Sequence, residues 1–464
     1  MTIPEKIEKP HVAFLPSPGM GHITPLFEFA KHLVIHHGFH VSFFVITTGA
    51  SAAQNELFRP ENLPADFTAV EIPPVENISS FFTDDMKVVT QLCIMVRESL
   101  KHLPSLLMEK RPKALLIDLF CTDAFEICEK LLIPVYSFFT ASTILMAFSL
   151  YLPTLDREVE SEFVDLPEPI QTPGCTPICP HDILDQVKDR KNDEYKWYLL
   201  NVSRLPLAAG IFVNSWDDLE PVSLKALREN LFFQKIPLPP VYTIGPLIKQ
   251  DEVVTEKDDE ILAWLDNQPP DSVLFVVFGS GGTLTSEQLT ELAWGLEMSQ
   301  QRFILVARKP SDASASAAFF NVGRFVKKTE GRGLVVPSWA PQTSILNHPS
   351  TGAFMSHCGW NSTLESVIHG VPIIAWPLYA EQRMNATLLT EEAGVALKFS
   401  KDPGEELVDR NEIEKNVRIV MEGEKGKAIR RRAKELKESA KIALNSGGSS
   451  YESLCSIVQI WKSQ

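Results

Sequence analysis

No stretch of this chain approaches the ~18 uninterrupted apolar residues of a membrane-crossing helix, which excludes a helical membrane protein. Positive charge is short: 44 Lys and Arg stand against 59 Asp and Glu, a formal net charge of −15. Nucleic acid and anionic membrane both reward clustered cations, so neither is expected as a partner. The densest basic run, Arg430-Arg431-Arg432, lies in a Lys/Glu-rich stretch that reads as a solvated helix face. Seven cysteines, at Cys93, Cys121, Cys128, Cys175, Cys179, Cys358 and Cys455, make no disulfide framework for a chain of this size. Cys175, Cys179 and His181 share a Pro-rich loop without a fourth ligand, so free thiols are expected there rather than a metal site. The N-terminal MTIPEKIEKP is polar and mixed in charge, unlike a cleavable signal, and a cytoplasmic location is expected. Internal repeats and long low-complexity runs are also missing.

What is present is βα alternation. At 464 residues the chain exceeds one core and suits two domains of roughly 200 residues each. Apolar runs rich in β-branched and aromatic residues fall at His11 to Ser17, His40 to Thr47, Phe67 to Ile72, Ala114 to Phe120, Pro134 to Phe139, Gly210 to Asn214 and Val241 to Ile244. A second series begins at Ser272 and runs VLFVVF, RFILVAR, GLVVPSW, TGAFMSH, PIIAWP and ALKF. The pattern predicts an α/β fold of two facing Rossmann-like domains with a cleft between them, ligands sitting at the carboxyl ends of the strands. The expected boundaries are 1–246 for the first domain, 247–260 for an acidic linker, 261–448 for the second domain and 449–464 for a terminal helix.

The turn PSPGMGHITP follows the first strand and opens an apolar helix. It superficially matches the dinucleotide fingerprint G-x-G-x-x-G, but Thr24 stands at the third glycine position and the second strand ends in ITTGAS, with no carboxylate for a ribose hydroxyl. A nicotinamide cofactor is therefore disfavoured. What remains is His22 at the mouth of the sheet, beside glycines that let a substrate approach the backbone; a lone histidine there is more often structural or solvated. Asp118 ends the apolar strand Ala114 to Ile117 at the carboxyl edge of the same sheet, where a buried carboxylate needs a partner. Its competing role is to cap the next helix, although Thr122 and Asp123 are better placed for that.

The segment Trp339 to Gln382 is the densest in chemistry. Thr351 to His357 and Pro372 to Pro377 read as buried strands, with Asn361 to His369 as the helix between them. Cys358-Gly359 lets the backbone turn sharply, so that the following helix start can face an anion. His357, Ser362 and Thr363 add donors. Ser362-x-x-Glu365 also fits a capping box, in which both side chains serve the helix itself. Ser280, in FGSGG after the strand Val273 to Val277, offers a second backbone nest, with Thr285-x-x-Gln288 as the cap of the helix beyond. Trp376 is expected in the core. The pairs Asp84-Asp85, Asp217-Asp218 and Asp258-Asp259 fall in loop or linker contexts, so no Asp-x-Asp metal site is expected.

The segment from Trp339 to Gln382, together with PSPGMGHITP and FGSGGTLT, resembles the plant secondary-product glycosyltransferases, the UDP-sugar-dependent enzymes of glycosyltransferase family 1. Within them it is most similar to the hydroquinone and monolignol glucosyltransferase group. The resemblance implies a GT-B fold with an N-terminal acceptor domain, a C-terminal donor domain and a final helix that packs back on the first domain. It further implies His22 as general base paired with Asp118, and inversion from α in UDP-glucose to a β-glucoside. Trp339 would stack on uracil, helped by the backbone of Ala340; Gln342 and Glu365 would bind ribose hydroxyls; His357, Asn361 and Ser362 would serve the phosphates. Trp360, Glu381 and Gln382 would face the sugar, Glu381 standing where many relatives carry Asp. Met20, Leu119, Phe120, Phe148 and Tyr379 adjoin these positions and are candidates to line an apolar slot for a planar phenol, with core packing the competing role of each.

The reading is thus a monomeric UDP-glucosyltransferase that uses UDP-glucose and a small aromatic acceptor, with no metal and no cofactor. Its rivals are a nucleotide-sugar-binding protein without transfer activity, against which His22 with Asp118 speaks, and a nicotinamide oxidoreductase, against which the missing third glycine and ribose carboxylate speak.

Overall fold

The apolar runs become strands covered on both faces, which is why they read as nearly continuous hydrophobic segments rather than alternating ones. A computed structural model describes residues 9–249, 256–312, 322–399 and 407–463. The chain forms two compact units, Met1–Ile248 with Ile442–Gln464, and Lys249–Lys441.

Among the described residues the first unit holds seven parallel strands: β1 (His11–Leu15), β2 (His40–Ile46), β3 (Phe67–Ile72), β4 (Leu115–Asp118), β5 (Val135–Phe139), β6 (Ile211–Val213) and β7 (Val241–Thr243). Their order is β3-β2-β1-β4-β5-β6-β7. The chain winds outward from β1 to β3, then returns to the other side of β1 and winds away again. The winding therefore reverses between β1 and β4, which pair directly with Leu15 opposite Ile117. The core beneath is aromatic, with Phe14, Phe29, Phe43, Phe138 and Phe212 all buried.

The helix Ser449–Ser463 lays Leu454, Ile457, Val458 and Trp461 onto this core, the i, i+3, i+4, i+7 spacing of one helical face. The Trp461 ring meets Tyr136 at 5.3 Å, Phe212 at 5.8 Å and Phe39 at 6.0 Å between centroids. Ser450 Oγ donates to the Gly245 carbonyl at 2.5 Å and fixes the start of the helix on the same unit.

The second unit holds β8 (Val273–Val277), β9 (Arg302–Ala307), β10 (Gly333–Pro337), β11 (Thr351–Ser356), β12 (Ile373–Ala375) and β13 (Ala396–Lys398), ordered β10-β9-β8-β11-β12-β13. Its reversal falls between β8 and β11, with Val277 opposite Ser356. Residues 256–260, expected in the linker, are instead the first turns of the helix Glu256–Asp266; residues 250–255 lie outside the described residues. Several expected strands are also shorter. The run Ala114 to Phe120 stops at Asp118, because its carboxylate accepts from the Phe120 N–H at 3.1 Å and turns the chain into a 3-10 turn.

Removing the indole should expose the value of the terminal helix. Trp461→Ala is expected to destabilise the first unit by about 3–5 kcal/mol. Hydrogen exchange should then quicken in β1–β7 while β8–β13 keep their protection; uniform loss across both sheets would contradict this assignment of the helix.

Candidate functional site

Functional groups gather where the winding of each sheet reverses, because there the loops leaving two adjacent strands diverge and open a crevice at the carboxyl edge. In the first unit those loops are Pro16–Gly19 after β1 and the turn after β4. Gly19, with φ of 116°, provides a backbone conformation that a side chain would strain, and the helix Met20–His37 starts directly behind it. This places His22 in the first turn of that helix, facing the end of β4.

His22 Nδ1 lies 2.8 Å from Asp118 Oδ2; the imidazole is about a quarter exposed and the carboxylate fully buried. Oδ2 also accepts from Ser17 Oγ, and Oδ1 accepts from the Phe120 N–H. Asp118 thus ends its strand and holds a histidine at once, and the two roles weighed for it are compatible. Thr140 Oγ1 stands 3.2 Å from the same Nδ1, and the Phe120 ring meets the imidazole edge to face at 5.4 Å. Burial alone would raise the Asp118 carboxyl. The hydrogen bond and charge of His22, with donors from Ser17 and Cys121, outweigh it and hold the group below its ordinary value. An ionised carboxylate can only accept, so the proton between them sits on Nδ1 and Nε2 is the basic nitrogen.

In the second unit the reversal lies between the loops after β8 and β11. Gly279 has φ of 71°, and a Cβ there would fall 2.4 Å from His357 Nε2; one at Gly359 would fall 2.5 Å away. Two glycines thus let the imidazole pack against bare backbone. Burial, and secondarily the Arg308 cation, lower His357 to about 4, so it is neutral near pH 7. The helix Trp360–His369 starts at Gly359 with no side-chain cap. Ser362 lies within its first turn and accepts from Gln342 Nε2 at 3.0 Å, while the same amide donates to Glu365 Oε2 at 2.5 Å. Ser362 is therefore not the N-cap that a capping box requires, because the helix starts at Gly359, and its hydroxyl and the Glu365 carboxylate converge on Gln342.

Trp339 is 58% exposed, large for an indole, and follows Ser338, whose φ is 66°. Ala340 behind it is buried. Gln382 Oε1 accepts from the N–H groups of Leu378 and Tyr379 at 2.9 and 3.1 Å, so its amide is held in one orientation. Asn385 ties the neighbouring Glu381 to the loop after β11, donating to Glu381 Oε1 at 3.4 Å and to the Cys358 carbonyl at 2.9 Å. Trp376 packs between Phe278 and Phe399 in the core, as expected.

Some expectations need correction. Phe148 has no exposed surface and belongs to the core, and Leu119 is 6% exposed, so neither lines an open slot. The Trp360 indole is 3% exposed, so a ligand at that helix start would meet backbone rather than ring. Met20 and Phe120 are partly exposed beside His22. Tyr379 is in the second unit, its hydroxyl 2.8 Å from where a Gly281 Cβ would stand. Sequence reasoning also missed Arg308, just beyond β9. Its Nη1 donates to the Ser280 carbonyl and its Nε to the Ser338 carbonyl at 3.2 Å, bracing the glycine loop against the Trp339 turn. A cation ending an apolar strand was the available signal, but its partners depend on the β10-β9-β8 order.

Comparison with known proteins places the chain among characterised relatives. The family described as UDP-glucoronosyl and UDP-glucosyl transferase matches residues 217–429. The hydroquinone glucosyltransferase of Rauvolfia serpentina is 46% identical over 473 residues, covering 98% of each chain. A UDP-glucosyltransferase from Polygonum tinctorium capable of glucosylating indoxyl, solved with 3,4-dichloroaniline, superposes with a TM-score of 0.90 at 42% identity, over 99% of this chain and 100% of that one. Phytolacca americana UGT2, solved with UDP-2-fluoro-glucose and pterostilbene, gives 0.89 at 40% identity, over 98% and 100%. Fold and likeness together define a GT-B hexosyltransferase that draws on a UDP-sugar. The chain belongs to the plant family 1 UDP-glycosyltransferases.

If Arg308 braces two loops around the nucleotide, Arg308→Ala should weaken UDP binding about tenfold, the worth of one charge-assisted hydrogen bond in a partly exposed setting. Calorimetric titration with UDP measures this; unchanged affinity would remove the brace.

Proposed function

We propose that the protein moves glucose from UDP-glucose to the hydroxyl of a small phenol with inversion, using His22 as general base and Asp118 to orient it. The observation that carries this reading is the 2.8 Å contact of a partly exposed imidazole with a wholly buried, multiply hydrogen-bonded carboxylate. The acceptor O–H gives its proton to His22 Nε2. Its oxygen forms a bond to the anomeric carbon as the bond from that carbon to the β-phosphate oxygen breaks, and UDP leaves with the electron pair. Asp118 fixes the tautomer and stabilises the imidazolium formed.

On the donor side, Trp339 stacks on uracil beside the Ala340 backbone, and Gln342 with Glu365 takes the ribose. The start of the helix Trp360–His369 receives the diphosphate, with Asn361, Ser362, neutral His357 and the Ser280 loop around it. The backbone at Trp360, with Glu381 and Gln382, meets the hexose. Fixed dipoles rather than a metal neutralise the leaving group in this reading. Met20 and Phe120 form the apolar wall beside the base. Relatives named for hydroquinone, or solved with pterostilbene, support a phenolic acceptor. The enzyme would act as a cytoplasmic monomer.

His22→Ala should lower kcat by about 10²–10⁴-fold, the usual worth of a general base, with UDP-glucose affinity unchanged. Product formation from UDP-glucose and a phenol panel measures the fall, calorimetric titration with UDP-glucose measures the affinity, and a parallel assay with EDTA tests the metal-free mechanism. Wild-type turnover by the variant would overturn the base assignment, and EDTA-abolished turnover would overturn the metal-free mechanism.

A further inference from the structure

Ser17 takes no part in the mechanism above, yet it is fully buried and its hydroxyl is directed at the reacting pair. It sits in Leu15-Pro16-Ser17-Pro18-Gly19. Proline on either side restricts the backbone: Pro16 and Pro18 have fixed φ, and a residue preceding proline is held extended. The direction of the Ser17 side chain is thus set by the chain itself, between the end of β1 and the turn that presents His22.

We infer that Ser17 is a positioning residue, whose hydroxyl, donated to the same Asp118 oxygen that receives His22, tunes the basicity of the imidazole. This rests on the reading of His22 as base. A buried carboxylate with one donor would concentrate its charge on that donor and favour the imidazolium strongly. A second donor on the same oxygen disperses part of the charge, and its dipole turns its positive end toward His22. The histidine then stays neutral to lower pH and is ready to accept a proton.

Other titratable groups facing the pair do not replace this effect. Cys121, on the turn after β4, has its thiol raised by burial and by Asp118, so it remains a neutral donor. Cys93, on the helix Val88–Ser99, is likewise pushed up by burial, to about 12. Asp123 is held low despite partial burial by its hydrogen bonds to Arg97 and Arg204, so that charge is matched locally. Thr140, another polar neighbour of Nδ1, does not titrate.

The test is the titration of His22 in the full-length protein carrying ring-¹³C histidine, the resonance being assigned by its loss in His22→Ala. In Ser17→Ala the His22 midpoint should rise by about one pH unit, the scale of one hydrogen bond to a charged group. The acid limb of kcat/KM should move up by the same amount. Ser17→Thr, which keeps the hydroxyl, should return both toward wild type. Ser17→Cys, a weaker donor of similar size, should fall between, and provides the measurement if the alanine variant does not fold. Superposable titrations of wild type and Ser17→Ala, or of wild type and Ser17→Cys where that variant stands in, would overturn the proposal, as would a limb that stays in place while the whole profile is scaled down. A midpoint that moves while His22→Ala retains turnover would support the Ser17 coupling and reject His22 as the base.

Discussion

A carboxylate without access to water is tolerated only if its charge is answered locally, and Asp118 imposes that demand on the first unit. The need is met by groups from three separate places: Ser17 after β1, His22 on the next helix, and the backbone of Phe120 after β4. They converge because β1 and β4 are neighbours where the winding reverses. A sheet wound in one direction only would set these loops strands apart. The topology and the dyad are therefore one design, in which the aromatic core fixes the strands and the strands fix the hydrogen bonds.

The second unit solves a different problem at the same topological position. A protein with a net charge of −15 must hold a diphosphate with local donors. In the proposed reading it would do so through close backbone approach, with glycines at 279 and 359 admitting His357, and through a helix start whose N-cap, Gly359, has no side chain to cap it. Neutral donors with the Arg308 brace would suit a ligand that must also leave, since a fixed cluster of cations would hold the product diphosphate tightly.

Much of this was legible in the sequence. Each apolar run became a strand, because burial on both faces of a parallel sheet removes polar alternation and leaves an unmistakable pattern. The proximity of His22 to Asp118 followed from two strand ends and the need of a buried carboxylate for a partner. What stayed hidden depended on the third dimension. Ser362 and Glu365 have the spacing of a cap, and only the position of Gln342 on another helix reveals that they face it instead. Phe148 is apolar and near the site in sequence logic, yet lies in the stretch Thr143–Leu150, which is buried on every side of its helix. Arg308 and Ser17 act across strand neighbours whose order no local pattern encodes. The linker was drawn too long because charged residues 256–260 resemble solvent-exposed coil as much as the first turns of a helix.

The central claim is that a buried, ionised Asp118 makes His22 a base of the right tautomer. Its most direct test is the turnover of Asp118→Asn, measured with UDP-glucose affinity on the same preparation. An amide of the same shape can donate to Nδ1, which would place the imidazole proton on Nε2 and leave no lone pair for the acceptor. The account predicts a fall in kcat of about 10³–10⁴-fold with donor affinity retained. Turnover within a few-fold of wild type would contradict it.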